Sequence, residues 1–382
     1  MKKRNLAVVI GLSLIGLGSC KKTTTTLEQE KEKILIVSTI SGGKRGYQDG
    51  EARSALYNKP AQIAIDASGN MYIADRLNHC IRKMTSAGIV STFAGISGSS
   101  GFTNGPGTSA QFNTPYGITI DTEGNIYVSD ANNNAIRKIT VGGVVSTFAG
   151  GPQSGAEDGT GTNAKFNFPF GLVIDAANNL YVADQYNNSI RKVTPTGAVT
   201  TIASGYAYPW GVAVDKKGNV YFTLYAANCI RKISTNGTIS VYAGNENDYN
   251  TAYQLQDGIA SAALFCQPLG LATDTSDNVY VADSENQVIR KISPEGIVSS
   301  IGVPYPGPFD SNGRTPIRHA DGEASGAKFY YPSNITVDKE GNLYVSQGEG
   351  DSNNFIRKIS SVDKSGTNQS ENVNWNKPIG WK

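Results

Sequence analysis

One motif returns six times along this chain and limits what it can become. The pattern Pro-x-Gly-apolar-x-apolar-Asp-x-x-Gly-Asn-apolar-Tyr-Val-Ala-Asp-x-x-Asn-x-x-Ile-Arg-Lys recurs with variations, its first aspartate falling at Asp66, Asp121, Asp175, Asp215, Asp274 and Asp338. Successive copies are 55, 54, 40, 59 and 64 residues apart. Self-similarity on this scale marks a repeated supersecondary unit, because a unit that small cannot bury its own apolar face and must stack on its neighbours.

The second copy shows what the unit is. Residues 117–121 alternate as a strand, Thr122-Glu123-Gly124-Asn125 supplies a turn, and residues 126–130 form a second strand. Residues 135–140 and 145–149 add two more, joined through Gly142-Gly143. Four short antiparallel strands per unit, with no helical periodicity outside the N-terminal leader, predict an all-β fold: a six-bladed β-propeller.

The run Asp-x-x-Gly-Asn-x-Tyr-Val-Ala-Asp-x-x-Asn followed by Ile-Arg-Lys resembles the NHL repeat, and the likeness covers about residues 34–360. Departures stand out against it. Ala61-Gln62 replaces x-Gly in the first copy, and Leu224 and Gln347 replace the second aspartate in the fourth and sixth. The sixth copy ends near Ser360 without a fourth strand, whereas Ile36-Val37-Ser38-Thr39-Ile40-Ser41-Gly42 precedes the first and matches Val145-Ser146-Thr147-Phe148-Ala149-Gly150. The expectation is that this N-terminal strand completes the last blade and removes two open edges.

Between copies runs a second signal: Asp-Gly or Asn-Gly, a small residue, an aromatic and a proline, as in Asp158-Gly159 to Phe166-x-x-Pro169 and Asp321-Gly322 to Phe329-x-x-Pro332. It reads as a turn and an aromatic plug between blades, omitted before the fourth copy, where Ser204-Gly205 leads almost directly into Tyr208-Pro209-Trp210. Arg82, Arg137, Arg191, Arg231, Arg290 and Arg357 of the Ile-Arg-Lys triplets share one structural level. They fit buried clamps on carboxylates and carbonyls better than an anion-binding ring, although the loss of the aspartate at Leu224 and Gln347 leaves their partners open.

The N-terminus has Lys2, Lys3 and Arg4, an apolar run from Leu6 to Leu17, and Leu17-Gly18-Ser19-Cys20. The run is short of the ~20 residues that span a bilayer, and its end resembles a bacterial lipobox. The likeness implies a leader over residues 1–19, acylation at Cys20, a solvated tether over 20–33, and a lipid-anchored protein of the bacterial cell envelope at the outer membrane. A cleaved leader with a chance cysteine is the alternative. Losing the leader removes three basic and no acidic residues, turning the formal charge of +2 into −1, which offers a nucleic acid nothing. Of the remaining cysteines, Cys80 and Cys229 share one repeat position on opposite blades, too far apart to bridge, and Cys266 has no partner. Residues 361–382 read as a polar tail with Trp375 and Trp381.

Chemistry is sparse. His79 and His319 are the only histidines, too few for the three-histidine zinc centre of some propellers, and both read as ordinary loop residues. The run Gly159-Thr160-Gly161-x-x-Ala164 matches a dinucleotide fingerprint only by chance, with no helix to follow. No catalytic group, metal or cofactor is expected. Tyr116, Phe170, Trp210 and Leu269, each following the proline that opens a first strand, should gather at the channel mouth. Such a patch suits a sugar ring or a peptide, or simply caps the core, with Trp210 least covered because the loop before it is short. The resulting expectation is a tethered, non-enzymatic module for a protein, peptide or glycan partner. A channel-site hydrolase, lactonase or lyase with a central divalent metal is the alternative.

Overall fold

The computed structural model describes residues 32–246, 255–305, 319–348 and 354–364. The expectations for residues 1–31, Cys20 among them, and for the tail beyond 364 lie outside these residues. Six antiparallel sheets stand around one axis as a six-bladed β-propeller. The innermost strands are Pro60–Ile65, Pro115–Ile120, Pro169–Ile174, Pro209–Val214, Pro268–Thr273 and Pro332–Val337. Each packs against the next, and the sixth against the first.

The repeat aspartate builds the first hairpin. In the second blade Asp121 Oδ1 accepts the backbone N–H groups of Glu123 (3.0 Å) and Asn125 (2.8 Å), and Oδ2 accepts Asn125 Nδ2 (2.9 Å) and the Tyr127 hydroxyl (3.3 Å). Asp66, Asp175, Asp215, Asp274 and Asp338 repeat the arrangement, so these carboxylates are committed to turns. The second strand of every blade, such as Ile126–Asp130, is buried along its whole length because neighbouring blades cover both of its faces. Between the blades lie the apolar cores, for instance Ala74, Ile81, Phe112, Ile118 and Val128 between the first two.

Five sheets have five strands, not the expected four. The extra strand is two residues long and comes from the Asp-Gly signal: Gly50–Glu51, Gly105–Pro106, Gly159–Thr160, Gly258–Ile259 and Gly322–Glu323 each pair with the outer strand of their own blade. Gly50, Gly105, Gly258 and Gly322 hold φ of +124 to +130°, a region closed to side chains, which explains the glycine. The fourth blade, without the signal, keeps four strands.

The last sheet draws on both ends of the chain. Lys33–Gly43 lies antiparallel to Asn354–Asp363 over ten residue pairs, from Lys33 with Asp363 to Gly43 with Asn354, and Val37 is fully buried beside Phe329, Ile335 and Ile359. Ladder pairing therefore continues through Ser361, Val362 and Asp363, which were expected to begin the tail, and Lys364 bonds Glu32 beyond it. These residues stay in the sheet because the backbone of residues 33–35 offers them partners, whatever their polarity.

Candidate functional site at the channel mouth

Five of the six repeat arginines are completely buried structural clamps. Arg191 donates through one terminal nitrogen to the Lys165 carbonyl (2.9 Å) and Asp184 Oδ2 (2.7 Å), and through the other to the Glu157 carbonyl (3.1 Å) and Asp158 Oδ1 (2.8 Å). The Phe166 plug lies beneath the guanidinium, 5.2 Å from its centre. Arg82, Arg137 and Arg290 repeat this with Asp49 and Asp75, Asn104 and Asp130, and Asp257 and Asp283. Thus each arginine ties the incoming Asp-Gly segment to its own blade. Burial outweighs the guanidinium and lifts Asp75 and Asp130 to about 6. In the sixth blade Gln347 Oε1 takes the aspartate's place (2.9 Å), and with one carboxylate fewer, burial holds Arg357 below its ordinary pKa. Arg231 differs: its side chain is 17% exposed, pairs with the half-exposed Glu246, and lies over Tyr206.

His79 does an asparagine's work. Its Nδ1 accepts the Thr114 N–H (3.1 Å), as Oδ1 of Asn134, Asn188, Asn228 and Asn354 accepts the N–H of Phe168, Tyr208, Gln267 and Lys59. Burial keeps its pKa below the usual histidine value, as the acceptor role requires. His319 packs on Phe355 (4.7 Å), and burial together with Arg357 lowers its pKa. Cys80, Cys229 and Cys266 are free and buried. Among the described residues no group of three or more His, Cys, Asp or Glu is placed to hold a metal ion.

The residue after each opening proline points to the mouth, and three of the four candidates pack together there. Tyr116 and Phe170 are 4.4 Å apart, Phe170 and Trp210 are 4.6 Å apart, and the Trp210 indole N–H donates to the Tyr116 hydroxyl. Tyr116, Phe170 and Leu269 are buried, which makes them the floor of the mouth; Trp210 is partly exposed. Its ring stacks on Tyr225 (5.3 Å, 27°). Beside them lies a cavity of about 240 Å³ walled by Trp210, Tyr225, Leu269, Glu285 and Tyr331. Farther out on the same face Phe168 stacks on Tyr186 (4.9 Å, 11°), whose edge meets Tyr208. Tyr186 and Tyr208 are 53% and 48% exposed.

Sequence reasoning missed Tyr225, Glu285, Tyr331, Tyr186 and Tyr208. For Tyr208 and Tyr331 the signal is variation: the residue before the opening proline is Lys59, Thr114, Phe168, Tyr208, Gln267 or Tyr331. All six hold a positive φ of 44 to 60°, a strained conformation that the bonds just described pin at Lys59, Thr114, Phe168, Tyr208 and Gln267.

The channel narrows below the mouth. A Cβ at Gly117, Gly171 or Gly211 would lie 2.4 to 2.6 Å from a carbonyl oxygen of the next inner strand, so only glycine permits this approach. In the first blade Gln62 stands at this level and reaches to the third, donating to the Leu172 carbonyl (2.7 Å) and accepting its N–H (3.3 Å). Beyond this crossbar a cavity of about 570 Å³ opens on the opposite face, ringed by Ile65, Ile120, Ile174, Val214, Thr273 and Val337.

This geometry defines the class, a six-bladed propeller whose rings gather at one mouth. Comparison with known proteins refines it. The NHL repeat family matches residues 112–139 and 265–292. NHL repeat-containing protein 2 of Gallus gallus is 29% identical over 384 residues, covering 94% of this chain. The chain spans 48% of that relative's length and less of the other curated relatives it matches. An auxiliary nutrient binding protein from Bacteroides ovatus superposes with a TM-score of 0.64 at 14% identity, covering 87% of this chain and 78% of that one. Virginiamycin B lyase from Staphylococcus aureus does so with a TM-score of 0.52 at 15% identity, covering 86% and 99%. At these identities the solved structures share the fold alone. The protein is an NHL-repeat β-propeller.

Proposed function

We propose that this chain is a lipid-anchored binding module of the bacterial envelope, held at the outer membrane through Cys20, that presents the aromatic mouth of its propeller to a glycan. The aromatic surface carries this reading: Phe168, Tyr186, Tyr208, Trp210 and Tyr225 lie on one face, with Tyr186 and Tyr208 half exposed. Flat rings backed by packed neighbours stack on sugar faces at little entropic cost, and Trp and Tyr keep a polar atom for a hydroxyl. The fold shared with a Bacteroides nutrient binding protein supports the reading. The repeat carboxylates and arginines are consumed by the scaffold, which leaves the mouth to recognise rather than react.

The test is a glycan array probed with the protein and with Trp210→Ala, Tyr186→Ala and Tyr208→Ala. The two tyrosine variants should keep the parent melting temperature and lose binding at least tenfold. A peptide library giving the only signal would move the partner to peptides, and unchanged affinity in all three variants would discard the face. A channel-site hydrolase, lactonase or lyase is the second reading, favoured by Glu285, whose carboxyl burial pushes up beside a cavity as a proton donor requires. Hydrolysis or elimination by the protein that Glu285→Gln abolishes would establish it.

A further inference from the structure

Glu285 breaks the rule of its repeat. The equivalent loop position carries Leu77, Asn132, Tyr186 and Ala226 in the first four blades, so the carboxylate is no part of the shared scaffold. Among the described residues its side chain has no hydrogen bond or ion pair. The repeat cation of its own blade, Arg290, is committed to Asp283 and Asp257. A partly buried charge without a counterion is unfavourable, and the cavity it borders is where a counterion could enter. Three rings share the walls with Gln267, Leu269 and Ser284: Trp210 stacked on Tyr225, and Tyr331 braced edge-on by Tyr330 at 4.8 Å. Aromatic faces attract cations, most strongly when the site is desolvated.

From this juxtaposition of a carboxylate unpaired among the described residues and aromatic rings around a small cavity at the mouth, we infer that the pocket bordered by Glu285, Trp210, Tyr225 and Tyr331 binds an ammonium group, a protonated amine or quaternary nitrogen. This rests on the binding role proposed for the mouth and names the charge of the group that enters it. A cavity of about 240 Å³ lies below the ~300 Å³ of the smallest drug-sized pockets, so it takes a head group while the rest of the ligand lies on the outer rings. A neutral sugar would stack equally well but would leave the carboxylate uncompensated.

Trp210 reports the event directly. In the full chain carrying Trp375→Phe and Trp381→Phe, purified in non-ionic detergent, Trp210 is the one remaining tryptophan. Tetramethylammonium and n-butylammonium chloride should change its fluorescence saturably at pH 8, while sodium chloride and the neutral isostere tert-butanol should not. Glu285→Gln, isosteric and partly exposed, should keep the melting temperature and weaken ammonium binding at least tenfold. Equal affinity in Glu285→Gln, equal binding of tert-butanol, or no saturable response would each overturn the inference. Glycan-array binding that survives Glu285→Gln alongside any of these results would leave the glycan-binding face standing without the ammonium pocket. Unchanged array binding in all three aromatic variants, while ammonium still titrates Trp210 in the parent, would do the reverse.

Discussion

Alanine at Arg191 and at Arg231 removes the same group from two copies of one motif, yet the surroundings set very different costs. Arg191 is fully buried, makes four hydrogen bonds, and faces Asp184, itself fully buried. Without the guanidinium, Asp184 keeps the Asn167 N–H and Asn187 Nδ2 but loses its one counterion among the described residues. Breaking a buried pair by removing one partner costs about 3–5 kcal/mol, chiefly through the charge left behind. Arg231 leaves no such charge, because Leu224 stands where the aspartate would be and Glu246 is 40% exposed. An exposed pair is worth about 0–1 kcal/mol, and the cation–π contact with Tyr206 adds about 0.5–1. Arg191→Ala should therefore destabilise by about 2–3 kcal/mol more than Arg231→Ala, read from urea midpoints at pH 7 with unchanged m-values. Adding Asp184→Asn to Arg191→Ala should recover part of the loss, since the stranded group then needs no counterion. Equal costs for the two alanines, or no recovery in the double variant, would refute the clamp.

Two further outcomes follow from the same structure. Deleting residues 33–43 strips the ten-pair ladder from Asn354–Asp363 and exposes the pocket of Val37, so the truncated chain should lose its cooperative thermal transition by circular dichroism; an unchanged melting curve would show that the segment does not fasten the ring. His79 is held below its usual pKa by burial, so the unfolded chain binds the extra proton more readily and stability must fall as pH drops below the ordinary histidine value of 6.5. His79→Asn, which keeps the acceptor for the Thr114 N–H, should match the parent at pH 8 and exceed it at pH 5 in parallel urea titrations; a constant difference across that range would remove His79 as the titrating group.

The blade plan was legible because each blade must hide the same surfaces in the same way. Asp121, Asn125 and Tyr127 recur as a set since one carboxylate satisfies four donors at the hairpin, and the pattern survives in every copy. The two-residue outer strands were not legible: Gly159–Thr160 is too short for alternation to show. The arginine partners were half legible, because Asp184 lies in the motif but Asp158 belongs to a segment read as a mere turn. Tyr116, Phe170 and Trp210 could be placed together from strand polarity, but how deeply each sits depends on which loops cover it. Glu285 could not be found at all, since a single acidic residue in a loop carries no periodic signal.

Several departures from the repeat fall together in one blade. The fourth blade lacks the Asp-Gly segment and its fifth strand, replaces the buried aspartate with Leu224, leaves Arg231 partly exposed, and contributes Trp210 and Tyr225 to the mouth. These are connected. Without the outer segment the loop into the inner strand is short, so Trp210 stays partly uncovered and Tyr225 can stack on it. The clamp lost in that blade is the one whose partner aspartate is also gone, so no charge is stranded by the omission. A ring of identical blades would present six equivalent surfaces and favour no ligand orientation. Breaking the rule in one blade, and placing Glu285 at the loop of the next, sets the pocket of Trp210, Tyr225 and Glu285 in one sector of the mouth, where the proposed recognition would fall, while five clamped blades hold the ring.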